Sequence, residues 1–157
     1  MKRFARITLI FILFISMSCD SIFLQSREFE KEFKNFTSES DSVLHDGDFL
    51  HPSYAYMKNG KIIGMEFNSN PECGKITRRY FLDEEEKINK IILEKDYWSE
   101  HCGALFDSIF VIEIPAKRIK IYSKSTFGKI IKDSNIIQNE QINIVKYKEE
   151  IQKWHTK

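Results

Sequence analysis

The stretch YAYMKNGKIIGMEF, residues 54–67, decides the fold because it holds a complete β-hairpin signal. Asn59-Gly60 separates two runs that are rich in aromatic, β-branched and other apolar residues. Asn-Gly is strongly favoured in two-residue hairpin turns, since both central positions of a type I′ turn need a positive φ. The stretch therefore predicts two antiparallel strands joined by a tight turn.

Two further hairpins are predicted after the first. The second hairpin has an acidic turn at residues 83–87, which is flanked by the strand-like runs KITRRYFL and INKIILEKDYW. The third hairpin turns at Pro115-Ala116, which is flanked by ALFDSIFVIEI and RIKIYS. In the third hairpin apolar and polar residues alternate, as they do in an antiparallel sheet with one buried face. The three hairpins predict an antiparallel β-meander of about five to seven strands, with a small closed or half-closed barrel as the alternative.

A helix is predicted on either side of the meander, which makes the fold class α+β. Residues 26–38 place three phenylalanines on one helical face, with Ser26 as the predicted cap. Near the C-terminus Ile144, Tyr147, Ile151 and Trp154 follow helical spacing, although QINIVKY also alternates like a strand. The polar residues 39–53 are predicted to form a loop, and residues 125–139 are predicted to be irregular.

The first 19 residues, MKRFARITLIFILFISMSC, have the layout of a secretory signal peptide. Lys2, Arg3 and Arg6 precede an apolar run, and small serines follow it. A transmembrane helix needs about 20 apolar residues, and this run is shorter. The pattern therefore predicts export, with residues 1–18 removed.

The end of that segment, Ser16-Met17-Ser18-Cys19, resembles the lipobox of bacterial lipoproteins. The resemblance implies cleavage before Cys19, a diacylglycerol on its sulfur, palmitate-type acylation and a position in the cell envelope. The mature chain would then be anchored to a bacterial membrane, facing the periplasm or the cell surface. Residues 19–25 would form the anchored N-terminus and a short linker, and residues 26–157 a single domain. An ordinary secreted protein whose signal ends in cysteine is the alternative.

Composition narrows the possible partners of the mature chain. Removing residues 1–18 leaves 139 residues, which is the size of one domain. Three of the 24 lysines and arginines leave with the signal, so 21 face 23 acidic residues. A chain of this charge lacks the basic patch that nucleic-acid binding requires and is not drawn electrostatically to anionic lipid.

Cys73 and Cys102 are the cysteines that remain after Cys19. An even pair in an exported chain predicts a disulfide. If the second hairpin turns near Glu85, Cys73 lies opposite about Tyr97, and Cys102 follows a few residues later. The alternative is a reactive thiol at Cys102 beside His101, but neighbouring residues on a strand point to opposite faces.

Chemistry-bearing motifs are absent from the sequence: it contains no glycine-rich phosphate loop, no GxSxG and no HExxH. No catalytic residue and no cofactor are therefore assigned. Two weaker candidate sites remain. Imidazole and carboxylate groups that could bind a metal occur at His45, Asp46, Asp48 and His51. An acid pair for glycosidic or similar hydrolysis could be drawn from Glu66, Glu72, Glu94 and Glu113.

Two functional interpretations follow. The first is a non-catalytic binding or interaction module of the envelope, held to a membrane through Cys19, with an envelope protein or a peptide as partner; an immunity-type role would fit its size. The second is a small envelope hydrolase or metal-binding protein that uses the loop at residues 39–53. Convergence of His45, His51 and an acid in a pocket would favour the second interpretation.

Overall fold

The computed structural model describes residues 20–98, 106–123 and 126–156, and its centre is one antiparallel sheet of nine strands. Each strand from the first to the eighth lies beside its neighbours in the chain, and the ninth returns to pair with the first. The strands are β1 (Ser42–His45), β2 (Ser53–Lys58), β3 (Lys61–Ser69), β4 (Gly74–Leu82), β5 (Ile88–Tyr97), β6 (Phe106–Glu113), β7 (Arg118–Ser123), β8 (Thr126–Ile131) and β9 (His155–Thr156).

Three helices accompany the sheet in the described ranges: α1 (Asp20–Thr37), α2 (Ser134–Glu140) and α3 (Ile144–Ile151). The predicted antiparallel β-meander with an N-terminal and a C-terminal helix is therefore confirmed. The predicted strand count of five to seven is too low. The described sheet has a linear strand order with β8 and β9 at its edges, so it is open and not a barrel.

The strands that the sequence did not predict are β1, β8 and β9. β1 lies inside the predicted loop at residues 39–53, and β8 lies inside the stretch predicted to be irregular, residues 125–139. Both predictions are wrong at these positions. β8 and β9 are the edge strands of the sheet, and β1 is covered only by the two-residue β9. Edge positions tolerate polar and exposed residues, so these strands lack the alternation of apolar and polar residues by which a strand is predicted from sequence.

The turns of all three predicted hairpins are where the sequence places them. Asn59 and Gly60 have φ angles of 51° and 75°, and Lys58 pairs with Lys61 across them. These angles are those of the predicted type I′ turn. In the second hairpin Asp83 Oδ1 accepts backbone N–H bonds from the turn residues Glu85 and Lys87, both at 2.9 Å.

The sheet is covered on both faces, and each face has its own core. The α2–α3 face carries the larger cluster, in which the predicted stripe of Ile144, Tyr147, Ile151 and Trp154 packs against the sheet. The C-terminal helix is thus confirmed, and the strand alternative for QINIVKY is wrong. The α1 face carries the smaller cluster, which contains Phe29, Phe33, Phe81, Ile92, Ile109 and Val111.

Helix α1 begins earlier than predicted. It spans Asp20–Thr37, so residues 20–25 are helical, and Ser26 lies within the helix and does not cap it. Phe29 and Phe33 are buried as predicted, whereas Phe36 is partly exposed and contacts the Phe81 ring at a centroid distance of 5.0 Å. No helix of the described ranges combines the length and apolar character needed to cross a bilayer.

The closest approach of α1 to the sheet requires a glycine. A Cβ atom on Gly64 would lie 2.9 Å from the Thr37 side chain and 3.3 Å from the Phe33 ring. Both contacts are shorter than ordinary van der Waals separation, so the last turn of α1 rests directly on the backbone of β3. Toward its N-terminal end, α1 borders a groove between the helix and the sheet.

The sheet has two ends, which differ in their connections. The hairpin end carries the turns at residues 59–60, 83–87 and 114–117. The loop end carries the β1–β2 loop, residues 46–52, and the connections that follow β3 and β5.

Helix α1 runs antiparallel to β5. Ser26 contacts Glu94, and six residues later Glu32 pairs with Lys90, which is nearer to the hairpin end. Helix α1 therefore starts at the loop end of the sheet.

Candidate functional site: a polar groove between helix α1 and the sheet

A groove of about 710 Å³ lies between the sheet and one side of α1, from Ile22 to Lys34. Residues from α1 and from five consecutive strands, β2 to β6, contribute to its walls and floor. The lining holds five acidic and four basic residues together with amide, hydroxyl and tyrosine groups.

One row of side chains on α1 forms the helix wall of the groove. Ile22, Ser26, Glu30 and Lys34 are spaced four residues apart and therefore lie one above the other on the helix surface. The adjacent row, Phe29, Phe33 and Thr37, is buried against the sheet. Helix α1 thus holds its position with one row and presents the other row to the groove.

The floor of the groove consists of cross-strand rows on the α1 face of the sheet. Directly opposed residues of neighbouring strands project on the same side, so each row is fixed by the strand register. The first row is Tyr54, Glu66 and Arg79, and the second is Asn68, Thr77 and Glu94. A third row nearer the loop end joins Lys75, Asp96 and Asp107.

Arg79 is the centre of the floor. Its side chain is 8% exposed, and its guanidinium binds the carboxylates of Glu66 and Glu94 on either side. The Nε atom donates to Glu66 Oε2 at 2.9 Å, and Nη1 donates to Glu94 Oε1. One buried cation therefore joins three adjacent strands, β3, β4 and β5, through two partly buried acids.

Neutral side chains complete this network. Ser26 Oγ donates to Glu94 Oε2 at 2.7 Å, which ties α1 to the floor. Asn68 Nδ2 donates to Glu66 Oε1 at 2.9 Å, and Thr77 Oγ1 donates to Asn68 Oδ1 at 2.9 Å. Both oxygens of each carboxylate thus have a hydrogen-bond donor, which is what a buried charged group needs in order to be stable.

The electrostatics of the floor favour the ionised arrangement. Burial disfavours the guanidinium charge, but the carboxylates of Glu94 and Glu66 outweigh burial and raise the pKa of Arg79 above its ordinary value. At the side of the groove, burial raises the pKa of Tyr56 to about 12, and the negative charge of Glu66 adds to the effect. Tyr56 is therefore a neutral hydroxyl at physiological pH.

The structure brings together two of the four acids considered for hydrolysis. Glu66 and Glu94 share Arg79, whereas Glu72 is exposed and Glu113 binds Arg118 beside the third hairpin turn. An acid–base pair requires one protonated carboxyl group. Here both carboxylates bind the same guanidinium, so this pair is suited to holding the floor together and not to transferring protons.

Three of the four predicted metal candidates, Asp46, Asp48 and His51, lie in the loop between β1 and β2. Asp46 Oδ1 accepts N–H bonds from Asp48 and Ser53, both at 3.1 Å. Asp48 Oδ1 accepts N–H bonds from Leu50 at 2.8 Å and His51 at 3.0 Å. The His51 and Leu50 N–H groups hold the pKa of Asp48 below its ordinary value. The two aspartates thus order the loop.

The histidines do not join these aspartates in a metal site. His45 lies on β1 with its ring centroid 5.9 Å from that of His155, and His51 is exposed. A cavity of about 250 Å³ beside the loop is lined by His45 and Asp48 but not by His51. Across the described ranges, no group of three or more His, Cys, Asp or Glu side chains is placed to hold a metal ion.

The predicted cysteine roles fall largely outside the described residues. Cys19, His101 and Cys102 are all outside them, so lipidation and the Cys73–Cys102 disulfide stay predictions. Cys73 is buried, and its carbonyl oxygen accepts a hydrogen bond from Trp98 N at 2.9 Å. The expected pairing of Cys73 opposite Tyr97 is therefore displaced by one residue.

Sequence reasoning missed most of the groove. It considered Glu66 and Glu94 only as candidates for a hydrolytic acid pair, and it assigned no role to Arg79, Tyr54 or Asn68. A signal was present: β4 reads GKITRRYFL, with a basic residue in the middle of an apolar strand. A charged residue at the centre of a sheet that is covered on both faces needs a buried partner.

No protein-family model, curated protein or solved structure matches the chain. The groove is accordingly interpreted from its own geometry and charge.

Proposed function

We propose that the protein is a lipid-anchored component of a bacterial envelope that works as a non-catalytic binding module, and that the groove between α1 and the sheet is its binding site. One observation carries the assignment to the groove: its floor is a complete polar network centred on Arg79. A floor whose charged groups bind one another has a fixed shape, and its carboxylate oxygens are already engaged as hydrogen-bond acceptors.

The composition of the groove indicates the chemical class of the partner. Acidic and basic residues are nearly balanced along its lining, and Tyr54, Tyr56 and Phe23 add aromatic surface. Such a surface suits a polypeptide segment with mixed polar and apolar side chains better than a polyanion, which needs an excess of cations. An envelope protein or a peptide is therefore the proposed partner.

The second interpretation, a hydrolase or metal-binding protein that uses residues 39–53, gains no support from the geometry. The aspartates of that segment bond to the loop backbone, and His45 and His51 do not meet an acid in a common pocket. The two acids at the centre of the groove floor, Glu66 and Glu94, both bind Arg79.

Site-specific photocrosslinking in cells that make the full-length protein tests this function. A photoreactive residue in place of Lys75, which is exposed and lines the groove, should give a discrete adduct with an envelope protein or peptide. The matched control replaces Lys87, which is also exposed but lies in a turn at the hairpin end.

The result depends on position. Adducts at Lys75 that are absent at Lys87 and diminished by Tyr54→Ser would support a binding groove. The same products from both positions, or none from Lys75 in correctly folded and localised protein, would overturn it.

A further inference from the structure

Exposed apolar side chains are concentrated toward the loop end of the molecule. Nine large hydrophobic residues are exposed in the described ranges, and six of them lie toward this end: Phe23, Leu24, Phe49, Leu50, Trp98 and Phe127. They come from the start of α1, the β1–β2 loop, the end of β5 and the start of β8. At the hairpin end the turn Asp83-Glu84-Glu85-Glu86-Lys87 is instead charged throughout.

Phe49 is the most exposed of these residues, at 97%, yet it stands in a well-bonded loop. Asp46 and Asp48 accept backbone N–H bonds on both sides of it, and Asn70 Nδ2 donates to the Leu50 carbonyl oxygen at 3.1 Å. A loop fixed in this way presents Phe49 and Leu50 outward. Large exposed apolar groups held in fixed positions are typical of protein or membrane contact sites.

The chain enters the structure at this same end. Helix α1 begins at Asp20, and its first turns border the groove close to residues of the loop end such as Pro52 and Asn70. Cys19 immediately precedes Asp20 in the sequence. A lipid on Cys19 would therefore bring the loop end, and not the hairpin end, toward the bilayer.

We infer that the loop end of the folded domain lies against the membrane surface, with Phe49, Leu50 and Trp98 in contact with the lipid interface. The inference rests on the proposed lipid anchor at Cys19. Aromatic side chains favour the interface between headgroups and acyl chains. The anchor holds these residues at a high effective concentration beside the bilayer. Contacts between each side chain and the lipid that would be too weak alone are therefore formed much of the time. The acidic balance of the mature chain makes apolar contact, and not attraction to anionic lipid, the basis of the docking.

Quenching of Trp98 by brominated lipid tests the orientation. The full-length protein, processed in cells and purified from membranes, is reconstituted into phosphatidylethanolamine–phosphatidylglycerol vesicles that contain lipid brominated near the headgroup. Trp154→Phe leaves Trp98 as the only tryptophan, because the chain has two. The control is Trp98→Phe/Trp154→Phe/Glu84→Trp, which places the single indole in an exposed turn of the hairpin end.

The orientation predicts that Trp98 loses most of its emission in brominated vesicles, whereas the control indole keeps its emission. Phe49→Ser/Leu50→Ser should restore much of the Trp98 emission without releasing the protein from the vesicles. If the protein floats with the vesicles but Trp98 is not quenched, the lipid anchor is supported and the proposed orientation is wrong. The exposed apolar residues of the loop end would then be assigned to contact with a protein partner. If the protein does not float, the anchor fails and the orientation fails with it.

Discussion

Glu66 and Arg79 are directly opposed residues of β3 and β4, and Arg79 Nε donates to Glu66 Oε2 at 2.9 Å. The same guanidinium binds Glu94 on β5, so the central strands of the sheet are joined by side chains as well as by backbone hydrogen bonds. This buried cation and its two acids form the rigid floor on which the proposed binding groove depends.

Arg79→Met should destabilise the protein by about 3–5 kcal/mol at pH 7, because removing one partner of a buried ionic cluster leaves uncompensated charges. Here two carboxylates would face each other in the floor without their cation. Urea denaturation at pH 7 measures the effect.

The matched control for that change is Arg78→Met, at the neighbouring position on the opposite face of the sheet. Arg78 Nε binds Glu140 Oε2 at 2.8 Å, but its side chain is 31% exposed. Partly exposed ion pairs are worth about 1 kcal/mol or less. Equal losses for the two variants would show that the Arg79 network is not a distinct stabilising element.

Gly60→Val should destabilise the protein by about 1 kcal/mol or more, because valine rarely adopts a positive φ. The φ angle of Gly60 is 75°, and no atom would lie within 4 Å of an added Cβ, so the cost arises from backbone strain and not from a clash. Gly60→Asn is the control, since asparagine tolerates this conformation. Thermal unfolding should show a clear loss only for valine, and an unchanged midpoint would exclude the I′ turn.

The central hairpins could be predicted because each is a local pattern. Asn59-Gly60 specifies its turn within two residues, and the strands beside it alternate with the period of a sheet. The stripe of Ile144, Tyr147 and Ile151 likewise specifies one face of a short helix. These elements needed no knowledge of distant parts of the chain.

The groove could not be predicted because it depends on contacts between distant segments. Ser26 and Glu94 are 68 residues apart, and nothing local indicates that α1 covers the face on which Glu94 lies. The edge strand β9 has two residues and forms only by pairing with β1. Such elements are specified by tertiary contacts and carry no periodicity of their own.

Cys73 and Cys102 are predicted to form a disulfide in the exported protein, closing a loop of about 30 residues and stabilising the fold by roughly 3–4 kcal/mol. The hydrogen bond from Trp98 N to the Cys73 carbonyl oxygen places the end of β5 beside Cys73, four residues before Cys102. Denatured mature protein should therefore show no internal thiol that reacts with a maleimide until it is reduced. Two internal thiols that react without reduction would exclude the bond.

The most direct test of membrane anchoring is the intact mass of the mature protein extracted from membranes of the cells that make it. The expected species begins at Cys19, lacks residues 1–18 and carries a diacylglycerol on the cysteine sulfur, and Cys19→Ala should accumulate as a precursor not cut at this site. A mature chain with an unmodified Cys19, recovered in the soluble envelope fraction, would contradict the proposal.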